Sequence, residues 1–456
     1  MKKNKVLSID KKHIWHPFTQ MKDYETIDPK VIVKGKGVKL YDIDGNEYYD
    51  TISSWWTNLL GHQNKKLNQA LKKQIKKLEH VNFSGFTHPY AAGLVEQLSK
   101  KLPPSLSRFF FSDNGSTAVE VALKTAFQYF QNQGNREKKT FIRLKNSYHG
   151  DTMGAVSVGG VDLYHKLYHP LMFETLQADS PDCSNCPKRK SEFTYEARET
   201  GCALECFASM EKLLEEKSSE IIAVIIEPII QAAGGMIVYP FEYLKKLRKL
   251  TLEKNVLLIF DEVATGFGRT GSFFAFEKAG VVPDLLCLSK GITGGYMPLA
   301  MTVSTEKIYQ AFYDDYFSNK TFYHGHSYTA NPLACSLAVE TLKILEEENL
   351  PESQKDTIEF FHNTLKEFGK EKFIADIRFT GFIGAVDVVE DRKSKKSFLP
   401  EKRMGQKIYL KSLENGLVLR PLGDTIYWFL PLVIKKKDIK IILEKSLKVI
   451  AEAVRE

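Results

Sequence analysis

Residues 257–271 read LLIFDEVATGFGRTG, and residues 283–300 read PDLLCLSKGITGGYMPLA. Each begins with a four-residue apolar run that stops at a charge: Leu257–Phe260 at Asp261-Glu262, and Leu285–Leu288 at Ser289-Lys290. Runs so short and so uniformly apolar suit strands buried on both faces. The charges then fall at the carboxyl ends of strands, where open α/β sheets gather their ligands. An amine and a carboxylate at neighbouring strand ends can grip two ends of one molecule. The lysine can do so through a Schiff base, the aspartate by pairing with a protonated ring nitrogen. A solvated lysine and a turn-capping aspartate look the same in isolation, so the surrounding chain has to decide.

At 456 residues the chain exceeds one ordinary domain. With 43% of its residues hydrophobic and 26% charged, it can build a sizeable core under a charged surface. The net charge of +8 comes from basic residues spread along the chain. A nucleic-acid footprint needs a patch, so no nucleic-acid partner is expected. No apolar run reaches the ~18 residues of a membrane span, and MKKNKVLSIDKKHIW lacks the apolar core of a signal peptide. Six cysteines do not make a disulfide scaffold in a chain of this length. A reduced, cytoplasmic setting is expected.

HIWHPFTQ (residues 13–20) is too short and irregular for a regular element and reads as an arm or a pocket lining. GVKLYDIDGNEYYD (37–50) is a hairpin around Asp44-Gly45-Asn46. TISSWWTNLLGH follows, and adjacent Trp55 and Trp56 cannot share one face of a strand, so at least one is expected to face a ligand or a partner chain. Amphipathic helices are predicted over 64–79 and 88–101. The strand RFFFS (108–112) then runs through DNGSTAVE into a helix reaching about Gln131. A strand, a small polar turn and a helix N-terminus make an anion site, with Gly115, Ser116 and Thr117 as candidates to hold a phosphate. A strand over 140–144 ends at NSYHGD, where Tyr148 could stack on a planar ring and Gly150 would allow close backbone approach. Cys183-x2-Cys186 and Cys202-x3-Cys206 have spacings that a structural zinc would tolerate, although free thiols in a surface insertion are the simpler expectation and no metal is assigned. Strand–helix–strand alternation from Ile221 to Phe260 predicts a mostly parallel sheet with helices on both faces. After Lys290 come TFYHGHSYTANP (321–332), two helices, and strand-like runs at 373–389 and 418–430. A terminal amphipathic helix closes a second, smaller α+β lobe.

Together these motifs resemble the class III, fold-type I pyridoxal-phosphate aminotransferases. DEVATGFGRTG followed by SKGITGG is specific to that class. WHPFTQ, SSWW, SDNGSTAVE, YHGD and LRPLGDTIY narrow the resemblance, which spans essentially the whole chain, to members that act on 8-amino-7-oxononanoate in biotin synthesis. The resemblance implies an α/β fold. It comprises a large domain (76–330) with a mostly parallel seven-stranded sheet flanked by helices, and a smaller α+β domain built from both termini (1–75 and 331–456).

It also implies roles. Lys290 would carry the cofactor as a Schiff base and shuttle the substrate proton, with Asp261 on the ring nitrogen and Tyr148 stacked on the ring. Gly115 and Ser116 would bind the phosphate, joined by Ser327 from the other subunit of a homodimer with shared active sites. Glu227 and Asp151 would support the pocket. Trp55, Trp56, Gly325, Tyr427 and Arg420 would line the substrate channel, with Arg420 on the carboxylate of the keto acid. The implied reaction aminates 8-amino-7-oxononanoate to 7,8-diaminononanoate with S-adenosylmethionine as donor. Phe18 stands where members that use adenosylmethionine often carry tyrosine. The loop HGHSYTANP, with His326-Ser327, and RPLGD resemble members that take lysine as donor, whereas SSWW, HVNFSGFTH and Tyr427 resemble the adenosylmethionine type. A different class III ω-aminotransferase, acting on ornithine, 4-aminobutyrate or a diamine, would share Asp261 and Lys290 but would not need the WHPFTQ arm or the paired tryptophans.

Overall fold

The computed structural model describes residues 1–183, 186 and 202–456. Its centre is a seven-stranded sheet. We number these strands in chain order: β1 (Leu106–Ser112), β2 (Thr140–Leu144), β3 (Leu176–Ala178), β4 (Ile221–Ile226), β5 (Leu257–Asp261), β6 (Leu285–Leu288) and β7 (Ala300–Thr305). They lie side by side as β1-β7-β6-β5-β4-β2-β3. The ladders among β6, β5, β4, β2 and β3 are parallel. β7 runs antiparallel to both of its neighbours, β6 and β1. The central strands are as apolar as their text promised, every residue of IIAVII, LLIFD and LLCL being buried. Helices cover both faces, as burial of a parallel sheet on two sides demands. One of them is Gly115–Asn132, which presents Ala118, Val119, Ala122 and Ala126 to the sheet.

Two smaller sheets flank this centre. The predicted hairpin pairs Lys39–Asp42 with Glu47–Tyr49, and Ile32–Lys36 adds a third strand. Near the other end of the chain, Ile374–Thr380, Ile383–Val388 and Thr425–Phe429 form an antiparallel sheet beneath the helix Lys436–Arg455. Backbone bonds join the two regions: Val418 N–H donates to Tyr49 O at 2.9 Å, and Phe429 N–H to Thr51 O at 2.8 Å. The helix predicted over 64–79 stops at Gln74. The arm is preceded by a helix, Lys3–His13, that the sequence pattern did not signal. Among the described residues no helix is long and apolar enough to cross a membrane.

Candidate active site

β5 and β6 pair in parallel with Asp261 beside Cys287, so Asp261 and Lys290 emerge at the same edge of the sheet. A cavity of about 670 Å³ opens there, and Lys290, Asp261, Glu227, Tyr148, Gly115 and Ser116 all line it. Asp261 accepts from His149 Nδ1 at 2.8 Å and from the Val263 N–H at 3.0 Å. A carboxylate only accepts, so Nδ1 carries the proton. His149 is buried, and its Nε2 has no partner among the described residues. Glu227 accepts from the N–H groups of Tyr148 (3.0 Å) and Ala232 (2.9 Å), and burial pushes its carboxyl up to about 7. Lys290 opens a short 3₁₀ turn with φ of 45°. Burial lowers its amine pKa, opposed by the charges of Asp261 and Glu227. A lowered pKa leaves more of the free amine available for nucleophilic and proton-transfer work.

The anion turn is built as expected, with one correction. Asn114 caps the helix Gly115–Asn132 through a reciprocal box with Thr117. The Thr117 hydroxyl donates to Asn114 O at 2.8 Å and accepts from the N–H groups of Asp113 and Asn114. That engagement removes Thr117 from the candidates, leaving Gly115 and Ser116, whose N–H groups have no intrahelical acceptor. Both glycines of the turn are dictated by contact. A Cβ on Gly115 would lie 2.6 Å from Val263 Cγ1, and one on Gly150 (φ +123°) would lie 2.0 Å from Ser116 Oγ.

Lys290, Tyr148, Asp151, Trp56 and Thr57 also border a second, outer cavity of about 1490 Å³. Phe18, Trp55, Arg420 and Tyr427 line it further out. The adjacent tryptophans both border this cavity, an arrangement that a strand would not give. They do so because Ser53, Ser54, Trp55 and Trp56 have φ of 50°, 47°, 68° and 73°, forming one left-handed helical turn. Left-handed backbone costs a non-glycine residue roughly 1–2 kcal/mol, so four in succession must be held from outside. Asp50 does part of this, accepting from Ser54 N–H at 2.8 Å, from Ser54 Oγ at 2.7 Å and from His62 at 2.8 Å. Trp56 stacks on Phe429 at 5.3 Å, donates Nε1 to the Tyr427 hydroxyl at 3.2 Å, and has Lys290 Nζ 4.7 Å from its ring centroid. The Arg420 guanidinium lies 4.5 Å over Trp55 and donates to Phe18 O at 3.4 Å. Tyr148 donates its hydroxyl to Asp151 at 2.8 Å. Tyr164, which the sequence reading passed over, packs edge-on against both Phe18 and Tyr148.

Ser327 and Gly325 border neither cavity of their own chain and lie exposed on the loop before Asn331, with Ser327 O accepting from His80 Nε2 at 2.7 Å. Among the described residues no group of three or more His, Cys, Asp or Glu side chains is arranged to hold a metal ion. Residues 187–201 between the pairs lie outside the described residues. Burial, with the nearby thiols of Cys183, Cys202 and Cys186, pushes the Cys206 thiol up to about 12. His149 was quoted within YHGD but given no role. Its signal, a histidine one residue from the ring-facing tyrosine, carries no spacing rule of its own.

The inner cavity suits a flat, phosphorylated pyridine. Its lining brings together helix N-terminal N–H groups, an oriented carboxylate and an amine, in a volume within the 300–1,000 Å³ typical of cofactor sites. The family model for class III aminotransferases matches residues 20–450, and the chain belongs to that family. It is similar over 441 residues, at 44% identity and 96% of each chain, to the adenosylmethionine-8-amino-7-oxononanoate aminotransferase of Geobacter sulfurreducens. The crystal structure of the enzyme of that name from Methanocaldococcus jannaschii superposes with a TM-score of 0.92 at 38% identity, covering 99% of both chains. An amine transaminase from an uncultivated Pseudomonas species, solved in its PLP-bound form, superposes with a TM-score of 0.88 at 31% identity, covering 97% of this chain and 99% of that one. The protein is an aminotransferase, and its cofactor is pyridoxal 5′-phosphate.

Proposed function

We propose that this aminotransferase converts 8-amino-7-oxononanoate to 7,8-diaminononanoate in biotin synthesis, with S-adenosylmethionine as amino donor, and works as a cytoplasmic homodimer. The observation that carries the reading is the position of Lys290 at the junction of the two cavities. Cofactor-sized space lies on one side of its amine, and a long channel with Arg420 lies on the other.

Bound pyridoxal phosphate supplies an electron-withdrawing ring that acidifies the C–H bond beside the reacting nitrogen. The residues of this chain do the rest. Gly115 and Ser116 hold the phosphate through helix N-terminal N–H groups. Asp261, oriented by His149, would pair with the ring nitrogen. Tyr148 covers one ring face, braced by Asp151 and by the Glu227 carboxyl under its backbone. Lys290 Nζ takes the proton from the substrate carbon and returns it. Arg420 pairs with the substrate carboxylate, while Trp55, Trp56, Tyr427 and Phe18 exclude water along the channel. Ser327 and Gly325, outside the cavities of their own chain, complete the phosphate and substrate sites of the partner in the dimer. In this reading residues 76–330 bind the cofactor, and residues 1–75 with 331–456 form the smaller unit.

The outer cavity exceeds the usual volume of a small-ligand site, which supports a nucleoside-sized donor. Phe18 contributes no hydroxyl there, and together with the loop HGHSYTANP and RPLGD this favours lysine instead. Purified protein given 8-amino-7-oxononanoate with either S-adenosylmethionine or lysine is expected to form 7,8-diaminononanoate with the former. Product from neither donor overturns the substrate assignment. Product from lysine alone overturns the donor. Lys290→Ala should abolish turnover, together with the visible cofactor band that borohydride fixes; retained turnover sinks the assignment of the lysine.

A further inference from the structure

Ser53–Trp56 is left-handed at four successive non-glycine residues, and Asp50 braces only the Ser54 side of it. The opposite side is held by Arg269, the arginine of GFGRTG. Its side chain is buried at 1% exposure, and no carboxylate pairs with it among the described residues. Its donors go instead to neutral oxygens on two segments, residues 53–58 and Leu430. Nη1 donates to Ser53 Oγ (3.4 Å) and to Leu430 O, and Nη2 to Trp56 O (3.4 Å) and Asn58 O (3.2 Å). The guanidinium also lies 4.7 Å over the ring of Phe429, on which Trp56 stacks. Burial brings its pKa down to about 9, opposed by the charge of Asp50. A buried cation satisfied wholly by carbonyls and one hydroxyl is costly unless its geometry is needed.

Past the turn, the chain presses on the lysine loop. A Cβ on Gly295 would lie 2.7 Å from Asn58 Cα, and Leu59 N–H donates to Gly294 O at 3.4 Å. The tryptophans, the lysine loop and the strand end at Phe429-Leu430 thus meet around one guanidinium.

We infer that Arg269 is the positioning residue of the substrate channel, holding the left-handed turn Ser53–Trp56 so that Trp56 stays against Lys290 and Trp55 stays in the outer wall. It touches neither cavity and acts through the turn. Without its fork, the turn keeps only the Asp50 brace and relaxes toward right-handed or extended backbone, turning the indoles out of the channel. A planar fork bonding four oxygens on two segments is a task that lysine performs only in part.

The kinetic side of the test rests on the substrate proposed above, whereas the optical side needs no substrate. Of the four tryptophans, Trp56 and Trp428 are buried while Trp15 and Trp55 are exposed. In holoenzyme carrying Arg269→Met, acrylamide quenching is expected to reach three of these four instead of two. The borohydride-fixable cofactor band should persist. KM for 8-amino-7-oxononanoate should rise about tenfold, with kcat falling less than KM rises, as expected when binding surface rather than chemistry is disturbed. Arg269→Lys should show the same changes at roughly a third of the size. If the methionine variant does not fold, the lysine variant alone decides the matter. Wild-type KM with wild-type quenching, or a loss confined to thermal stability, overturns the role. If the wild-type enzyme itself does not turn over 8-amino-7-oxononanoate, the substrate proposal falls, while the quenching comparison still judges Arg269.

Discussion

His149 donates Nδ1 to Asp261 at 2.8 Å, so the carboxylate meets the inner cavity with one oxygen already fixed in direction. Replacing the histidine by phenylalanine keeps the bulk and deletes the donor. We expect kcat of His149→Phe to fall on the order of tenfold, the scale of losing one charge-assisted hydrogen bond of about 1.5 kcal/mol. His149→Asn, whose amide can stand in for Nδ1, should recover part of it. Equal rates for the two variants would show that volume, not the bond, matters.

Gly150 offers a test of the phosphate turn. Its φ of +123° and the 2.0 Å gap from a Cβ to Ser116 Oγ leave no room for alanine. Gly150→Ala should destabilise the fold by about 1–3 kcal/mol through overpacking and unfavourable backbone. It should also weaken cofactor binding, read by titrating pyridoxal phosphate into the apo form. Undiminished affinity would detach Ser116 from the phosphate.

Arg420 stacks on Trp55 and bonds to the arm at Phe18 O. Arg420→Lys keeps the charge but loses the planar fork and most of the stacking. KM for the carboxylate-bearing substrate should rise about tenfold, corresponding to roughly 1.4 kcal/mol, with the cofactor spectrum unchanged. An unaltered KM would move carboxylate recognition elsewhere.

Glu262 is buried, accepts from Ala275 N–H, Phe276 N–H and Thr265 Oγ, and is pushed by burial up to about 7. A carboxyl whose pKa is higher in the folded than in the unfolded protein binds more protons when folded, so stability falls as pH rises between the two values. The window runs from the ordinary value of 4.5 to about 7. Across it the contribution amounts to at most about 3 kcal/mol. Glu262→Gln does not titrate, so its melting temperature relative to wild type should climb from pH 4.5 to 7 and then level off. A constant difference across that window would mean that the three donors offset the burial.

Much of this was legible beforehand because strand ends are written in the sequence as abrupt stops. LLIFD and LLCLSK fixed Asp261 and Lys290 on one sheet edge, and the parallel register put them there. The anion turn was legible for the same reason, although the capping box that occupies Thr117 required knowing which way a hydroxyl points. The antiparallel β7 was missed because PLAMTVST resembles any half-buried strand and carries no mark of direction. The backbone course of the tryptophan pair was not legible, because a run of left-handed residues without glycine has no compositional signature. It is held by Asp50, four positions before Ser54, and by Arg269, which lies 213 positions beyond Trp56 in the chain. Ser327 and Gly325 lie apart from both cavities of their own chain, so no motif on this chain's own site could announce them.

The left-handed turn also sets an order of assembly. Ser53 Oγ bonds to Phe429 O across 376 positions, and Arg269 reaches Leu430 from the middle of the chain. Contacts this distant in sequence close late, after the loops between them have been ordered. During synthesis the two tryptophans leave the ribosome with nothing yet to hold their backbone, and they must wait for the strand Thr425–Phe429 to follow. The central sheet, complete by Thr305, can form while the channel wall is still unmade. A truncated or stalled chain would therefore carry a finished cofactor cradle and no substrate gate.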